Sequence, residues 1–135
     1  VVLAACAAEP GLGEFERSEI AIGDSSLTVA LAETSTQRNQ GLRNIETLPQ
    51  DVDGMLFTWD VPIAASFEMD DVVFPLDIWW FDEDGRLLGS AGMSTCPDGD
   101  CVSYRAPGPV LWALETPAGE YDFPPGARIS NVENP

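Results

Sequence analysis

The stretch Leu76-Asp77-Ile78-Trp79-Trp80-Phe81-Asp82-Glu83-Asp84-Gly85-Arg86-Leu87-Leu88 reads as a strand, a tight turn and a returning strand. Its apolar run is aromatic-rich and too short for a packed helix. Asp84-Gly85 between two apolar runs is a strong hairpin signal, because Gly supplies the positive φ that such turns need. Trp79 and Trp80 are adjacent, so on a strand they point to opposite faces. With one sheet face in water, one of the two is exposed, and an exposed Trp marks a binding surface.

Outward from this hairpin the chain remains mostly strand. Glu19–Ile22 and Leu27–Ala32 flank the turn residues Gly23 to Ser26. A short helix follows, capped by Thr34 or Ser35 and ended by Gly41 in the left-handed conformation. Gly54–Trp59 reads as a mostly buried strand. Ala65–Asp70 alternates, with Phe67 and Met69 on one face and Ser66, Glu68 and Asp70 on the other. Val110–Glu115 and Ala127–Asn131 supply the last strands. Seven or eight short strands with Gly/Pro turns and one short helix predict a mainly β, sandwich- or barrel-like domain.

The composition narrows the chemistry. The chain has 135 residues, 44% of them hydrophobic, which suits one domain with its own core. It carries 23 acidic residues against six Arg, with no Lys and no His, for a net charge of -17. Without His there is no Ser-His-Asp triad and no HExxH zinc site. Without Lys there is no P-loop and no pyridoxal anchor, and no cofactor is implied. The negative charge argues against nucleic acid, whose affinity comes from cations on phosphates. It fits a surface tuned to high salt and an ordinary acidic exported protein equally well.

Three regions are expected along the chain. Residues 1–6 read as the end of a lipoprotein signal segment, with Leu3-Ala4-Ala5-Cys6 as the lipobox and Cys6 as the lipid-bearing residue. Residues 7–18, holding Pro10, Gly11 and Gly13 among acids, read as a flexible tether. Residues 19–135 form the domain. Cys96-Pro-Asp-Gly-Asp-Cys101 reads most simply as a disulfide closing a small loop in an exported protein. A redox pair and half of a metal site are the rival readings of the same two cysteines.

The order of motifs resembles the DUF192 family, whose function is not established. The resemblance rests on Ala32-Glu33-Thr34 through Gln37-Arg38-Asn39-Gln40-Gly41-Leu42, Leu48-Pro49, Asp53-Gly54-Met55-Leu56-Phe57 and Ser66-Phe67-Glu68-Met69. It continues through Pro75-Leu76-Asp77-Ile78, Phe81-Asp82-Glu83-Asp84-Gly85 and Ala113-Leu114-Glu115-Thr116-Pro117-Ala118-Gly119. It implies a compact, mainly β fold, and a Cys pair before a Tyr, as with Tyr104, is common in exported members of the family. Two stretches depart from the family pattern. Ser66-Phe67-Glu68-Met69-Asp70-Asp71 stands where Ser-Phe-Trp-Met-Lys-Asn is common, and Leu42-Arg43 where Leu-Met is common.

The candidate functional face comprises Arg38, Ser66, Glu68, Asp70 and Asp77. On an extended strand Glu68 and Asp70 lie about 7 Å apart, and Asp77 joins them if the two strands pair. Such carboxylates can do acid–base work, take a hard cation, or simply be a solvated face. Arg38 can grip a carboxylate ligand or pair internally, for instance with Asp77. Trp59, Trp79, Trp80 and Trp112 are core residues or an aromatic platform. Asp82-x-Asp84-Gly85 faintly matches the start of a calcium loop, but turn chemistry explains it. The leading expectation is a non-enzymatic binding or accessory module, lipid-anchored at the cell envelope, for a small-molecule or envelope ligand. The alternatives are a carboxylate-dependent enzyme acting on an envelope saccharide and a cation-stabilised structural domain.

Overall fold

A computed structural model describes residues 11–132. Alternating apolar residues build β1 (Arg17–Ile22) and β2 (Ser25–Ala32), paired antiparallel about Gly23, whose φ of 57° lets the chain reverse within two residues. Helix α1 (Ser35–Gln40) begins with a full capping box. Thr34 Oγ1 accepts from the Gln37 backbone N–H, and Gln37 Oε1 accepts from the Thr34 N–H. Gly41 ends it at φ 49° and ψ -136°, a conformation open to glycine rather than the left-handed helical well expected.

The chain then forms β3 (Gly54–Ile63), β4 (Ser66–Phe67), β5 (Leu76–Phe81) and β6 (Leu87–Met93). It ends with β7 (Tyr104–Arg105), β8 (Val110–Pro117) and β9 (Ile129–Ser130). Seven strands make one curled half-barrel sheet in the order β6-β5-β8-β3-β2-β1-β9, and β4 pairs with β7 beside it. All pairings are antiparallel except β2–β3, which the crossover through α1 makes parallel. The mainly β architecture with one short helix is as expected. At the hairpin after β5, Asp82 Oδ1 accepts from the Asp84 and Arg86 backbone N–H groups, which is turn chemistry.

Both faces of the sheet are covered. One core holds Met55, Phe57, Ile78, Trp80 and Ala113, and the other holds Leu56, Trp79, Phe81, Leu114 and Phe123. Trp79 and Trp80 do point to opposite faces, yet both are buried, so neither offers an exposed platform. Each buries on the order of 200 Å², worth at most about 5 kcal/mol of hydrophobic stabilisation. Trp79 Nε1 donates to Thr116 Oγ1 at 3.2 Å, whereas Trp80 Nε1 has no partner among the described residues.

Two expectations need correction here. Leu12 and Phe15 are buried in the first core and Arg17 opens β1, so residues 12–18 belong to the domain rather than to a tether. Arg17 fixes this approach by donating through Nη1 to the Leu12 and Phe15 carbonyls at 2.7 and 2.9 Å. Cys6 and residues 7–10 lie outside the described residues. The strand expected over Ala65–Asp70 stops at Phe67. Beyond it a turn closes from the Val72 N–H to the Met69 carbonyl, with Asp71 at a φ of 62°.

Candidate functional site

Period-two alternation decides which side chains can meet. In β8, Glu115 lies opposite Met55 on β3 and opposite Ile78 on β5, and both of those belong to the first core. Glu115 therefore points to the face that α1 and β4 cover. There it is one wall of a cavity of about 430 Å³, together with Arg38, Phe57, Trp59, Phe67 and Glu68. That size suits a small ligand.

Glu115 is 5% exposed. Burial pushes its carboxyl from 4.5 up to about 8, with neither a hydrogen bond nor a cation among the described residues to offset it. The group is therefore neutral at pH 7, a proton donor at the sheet side of the cavity. It was not among the residues singled out from sequence. The available signal was a lone acid between Leu114 and Thr116 in an otherwise apolar strand.

Arg38 stands on the helix side. Its Nη1 donates to the Glu33 carbonyl at 2.7 Å and to the Thr58 carbonyl at 2.8 Å. Its guanidinium lies 5.5 Å from the Trp59 ring centroid, a cation–π contact. These contacts tie α1 to β3 and use one of the three guanidinium nitrogens. The ion pairs among the described residues are Arg17–Asp51 and Arg43–Asp71, so Arg38 has no carboxylate partner there. Asp77 is not its partner. Behind the cation, Phe57 and Phe67 meet edge to face at 5.2 Å, and Trp59 meets Phe67 at 6.4 Å.

The remaining members of the expected face separate. Ser66 and Glu68 stay with Arg38 at the cavity, at and just beyond β4. Asp70 lies past the end of β4, in a second cavity of about 520 Å³ beside the cysteine loop. One of its oxygens lies within 4.8 Å of both cysteine sulfurs. Those sulfurs are joined as a Cys96–Cys101 disulfide with Cα atoms 5.3 Å apart. Asp77 sits on the opposite face of the sheet from Glu115 and accepts from the Gly119 N–H at 3.0 Å. The three acids Glu68, Asp70 and Asp77 thus form no common cluster. The acid–base roles of the enzyme alternative fall instead to neutral Glu115 and exposed Glu68, which share one cavity.

The DUF192 family profile, described as "Uncharacterized ACR", matches residues 14–130. No curated protein matches the chain. Among solved structures, the chain is similar to a protein of unknown function from Novosphingobium aromaticivorans DSM 12444. The two are 27% identical with a TM-score of 0.76, over 94% of each chain. It is also similar to a proposed transcription regulator from Sinorhizobium meliloti 1021, at 25% identity and a TM-score of 0.75, over 86% of this chain and 94% of that one. Among the described residues, no helix is long and apolar enough to cross a membrane.

Proposed function

The chain belongs to the DUF192 family, and from that premise we propose that it is a small-molecule binding module of the cell envelope, with its site between α1 and β8. The observation that carries the reading is that a buried carboxyl and a guanidinium, both without an ion pair among the described residues, line one cavity. Burial of the Glu115 carboxyl without a protein hydrogen bond among the described residues costs stability, and a ligand that bonds to it and to the half-buried Arg38 fork recovers part of that cost. The aromatic wall of Phe57, Trp59 and Phe67 adds the apolar contact area typical of small-ligand sites.

The test is a fragment screen followed through the Trp59 indole resonance. Binders that shift it and lose affinity in Arg38→Ala support the module; a diverse library that leaves it unmoved refutes it. The envelope location draws support from the disulfide, which persists in oxidising compartments, and from the Leu3–Cys6 lipobox pattern. Palmitate labelling of the protein in its host, lost in Cys6→Ser, supports the anchor, and absence of label refutes it.

A further inference from the structure

We infer that the ligand of this cavity is a small organic carboxylate, held between the Arg38 guanidinium and the Glu115 carboxyl, with Trp59 as its apolar wall. The inference rests on the binding role proposed above and names the ligand's chemistry.

Charge is the first argument. Of the six Arg, Arg17 and Arg43 form ion pairs among the described residues; Arg38 forms none, and unlike Arg86, Arg105 and Arg128, which also form none, it lines the cavity. Its Nη1 is held by two backbone carbonyls and its plane by Trp59. Nε and Nη2 make no hydrogen bond within the described protein, and they retain the forked donor geometry that binds carboxylates bidentately. Fixing one nitrogen while leaving the others available orients the fork before a ligand arrives.

The buried acid is the second argument. Glu115 is more than nine-tenths buried, has no hydrogen-bond partner among the described residues and lines the same cavity. A protonated carboxyl offers one O–H donor, which a ligand carboxylate can accept, the two acids sharing a single proton. The titratable groups that line the cavity with it are Arg38, Arg43 and Glu68. The strand neighbours that share its face, Met55 on β3 and Ile78 on β5, do not ionise. A cationic ligand would meet Arg38 face on, and a neutral one would leave the fork without its anion.

Three isosteric probes separate these cases: benzoate, benzamide and benzylamine, titrated against the full chain with Trp59 indole shifts as the readout. Benzoate should bind at least about tenfold more tightly than either of the others, the scale of a charge-assisted pair. Arg38→Met should remove that preference. Glu115→Gln, which keeps a neutral donor of the same shape, should hold benzoate affinity within about threefold near pH 6. In the unsubstituted protein benzoate should weaken about tenfold between about pH 6 and about pH 9 as Glu115 ionises, and Glu115→Gln should abolish that loss. Tighter binding of benzylamine or benzamide refutes the carboxylate class while leaving the cavity a ligand site. Benzoate binding that is indifferent to Arg38→Met refutes the geometry. Failure of all three probes refutes the inference alone, since the function itself stands or falls on the broader screen.

Discussion

Glu115→Gln should stabilise the protein at neutral pH, and the size of the gain follows from where the carboxyl sits. In the native state burial holds its pKa near 8, against 4.5 when the chain is open. Below 4.5 both states carry the proton and the group contributes no pH dependence. Between 4.5 and about 8 only the native state keeps it, so the unfolded state is favoured progressively as the pH rises. At about 1.4 kcal/mol per pH unit, that interval amounts to roughly 5 kcal/mol of stability lost by the time Glu115 ionises in place. Gln has the same shape and no charge to lose, so its variant escapes this penalty. Urea denaturation of both proteins at about pH 5 and about pH 7.5 isolates the effect, because exposed acids contribute equally to each. The parent should lose about 3 kcal/mol more than the variant between the two conditions. Equal losses would mean that Glu115 is solvated, and both the site geometry and its proton-donor role would fall with that result.

Other substitutions probe the frame around it. Arg38→Ala removes the charge-assisted bonds to the Glu33 and Thr58 carbonyls and should cost about 2 kcal/mol in a urea titration. Gly54→Ala places a methyl group against the Glu115 backbone carbonyl, which cannot move without separating β3 from β8. It should cost at least about 3 kcal/mol, read as a lowered denaturation midpoint, the upper end of overpacking penalties. Reducing the Cys96–Cys101 bridge should cost about 2 kcal/mol for so short a loop, seen as a drop in Tm with dithiothreitol that a Cys96→Ser/Cys101→Ser variant no longer shows.

The parts of the fold visible in the sequence are those in which a local pattern carries a local cause. Thr34 and Gln37 at capping-box spacing mark the helix start, and Asp82 with Gly85 marks a turn that the side chain itself closes. Face assignment was harder. Leu76–Phe81 is apolar on both sides, the pattern of a strand covered on both faces, so Trp79 and Trp80 find separate cores. The candidate site was legible at Arg38, Ser66 and Glu68, which the chain brings to one cavity. Asp77 was misplaced because its face depends on pairing with Thr116 of β8, distant in sequence, rather than with β4. Glu115 escaped notice for a related reason. An acid in a strand looks like a solvent-facing residue until α1 and β4 are known to roof that side of the sheet.

The position of β8 has a consequence for how the protein forms. It lies between β5 and β3, joining a β5–β6 pair to a β1–β2–β3 group within the sheet, while the later residues Ala127 to Ile129 add a second link through the Arg86–Arg128 bridge and the Leu87–Ala127 hydrogen bond. On a chain made from its N-terminus, both groups precede their connector, each with an unpaired apolar edge and no route to the other. Assembly then depends on distant contacts and belongs with the slower, millisecond-to-second folders. Until Val110–Pro117 arrives, the β3 and β5 edges are open templates for another chain's strand. Insertion of this one strand closes both edges and, in the same event, buries the Glu115 proton. The closed cavity and the covered β3 and β5 edges thus depend on the same strand.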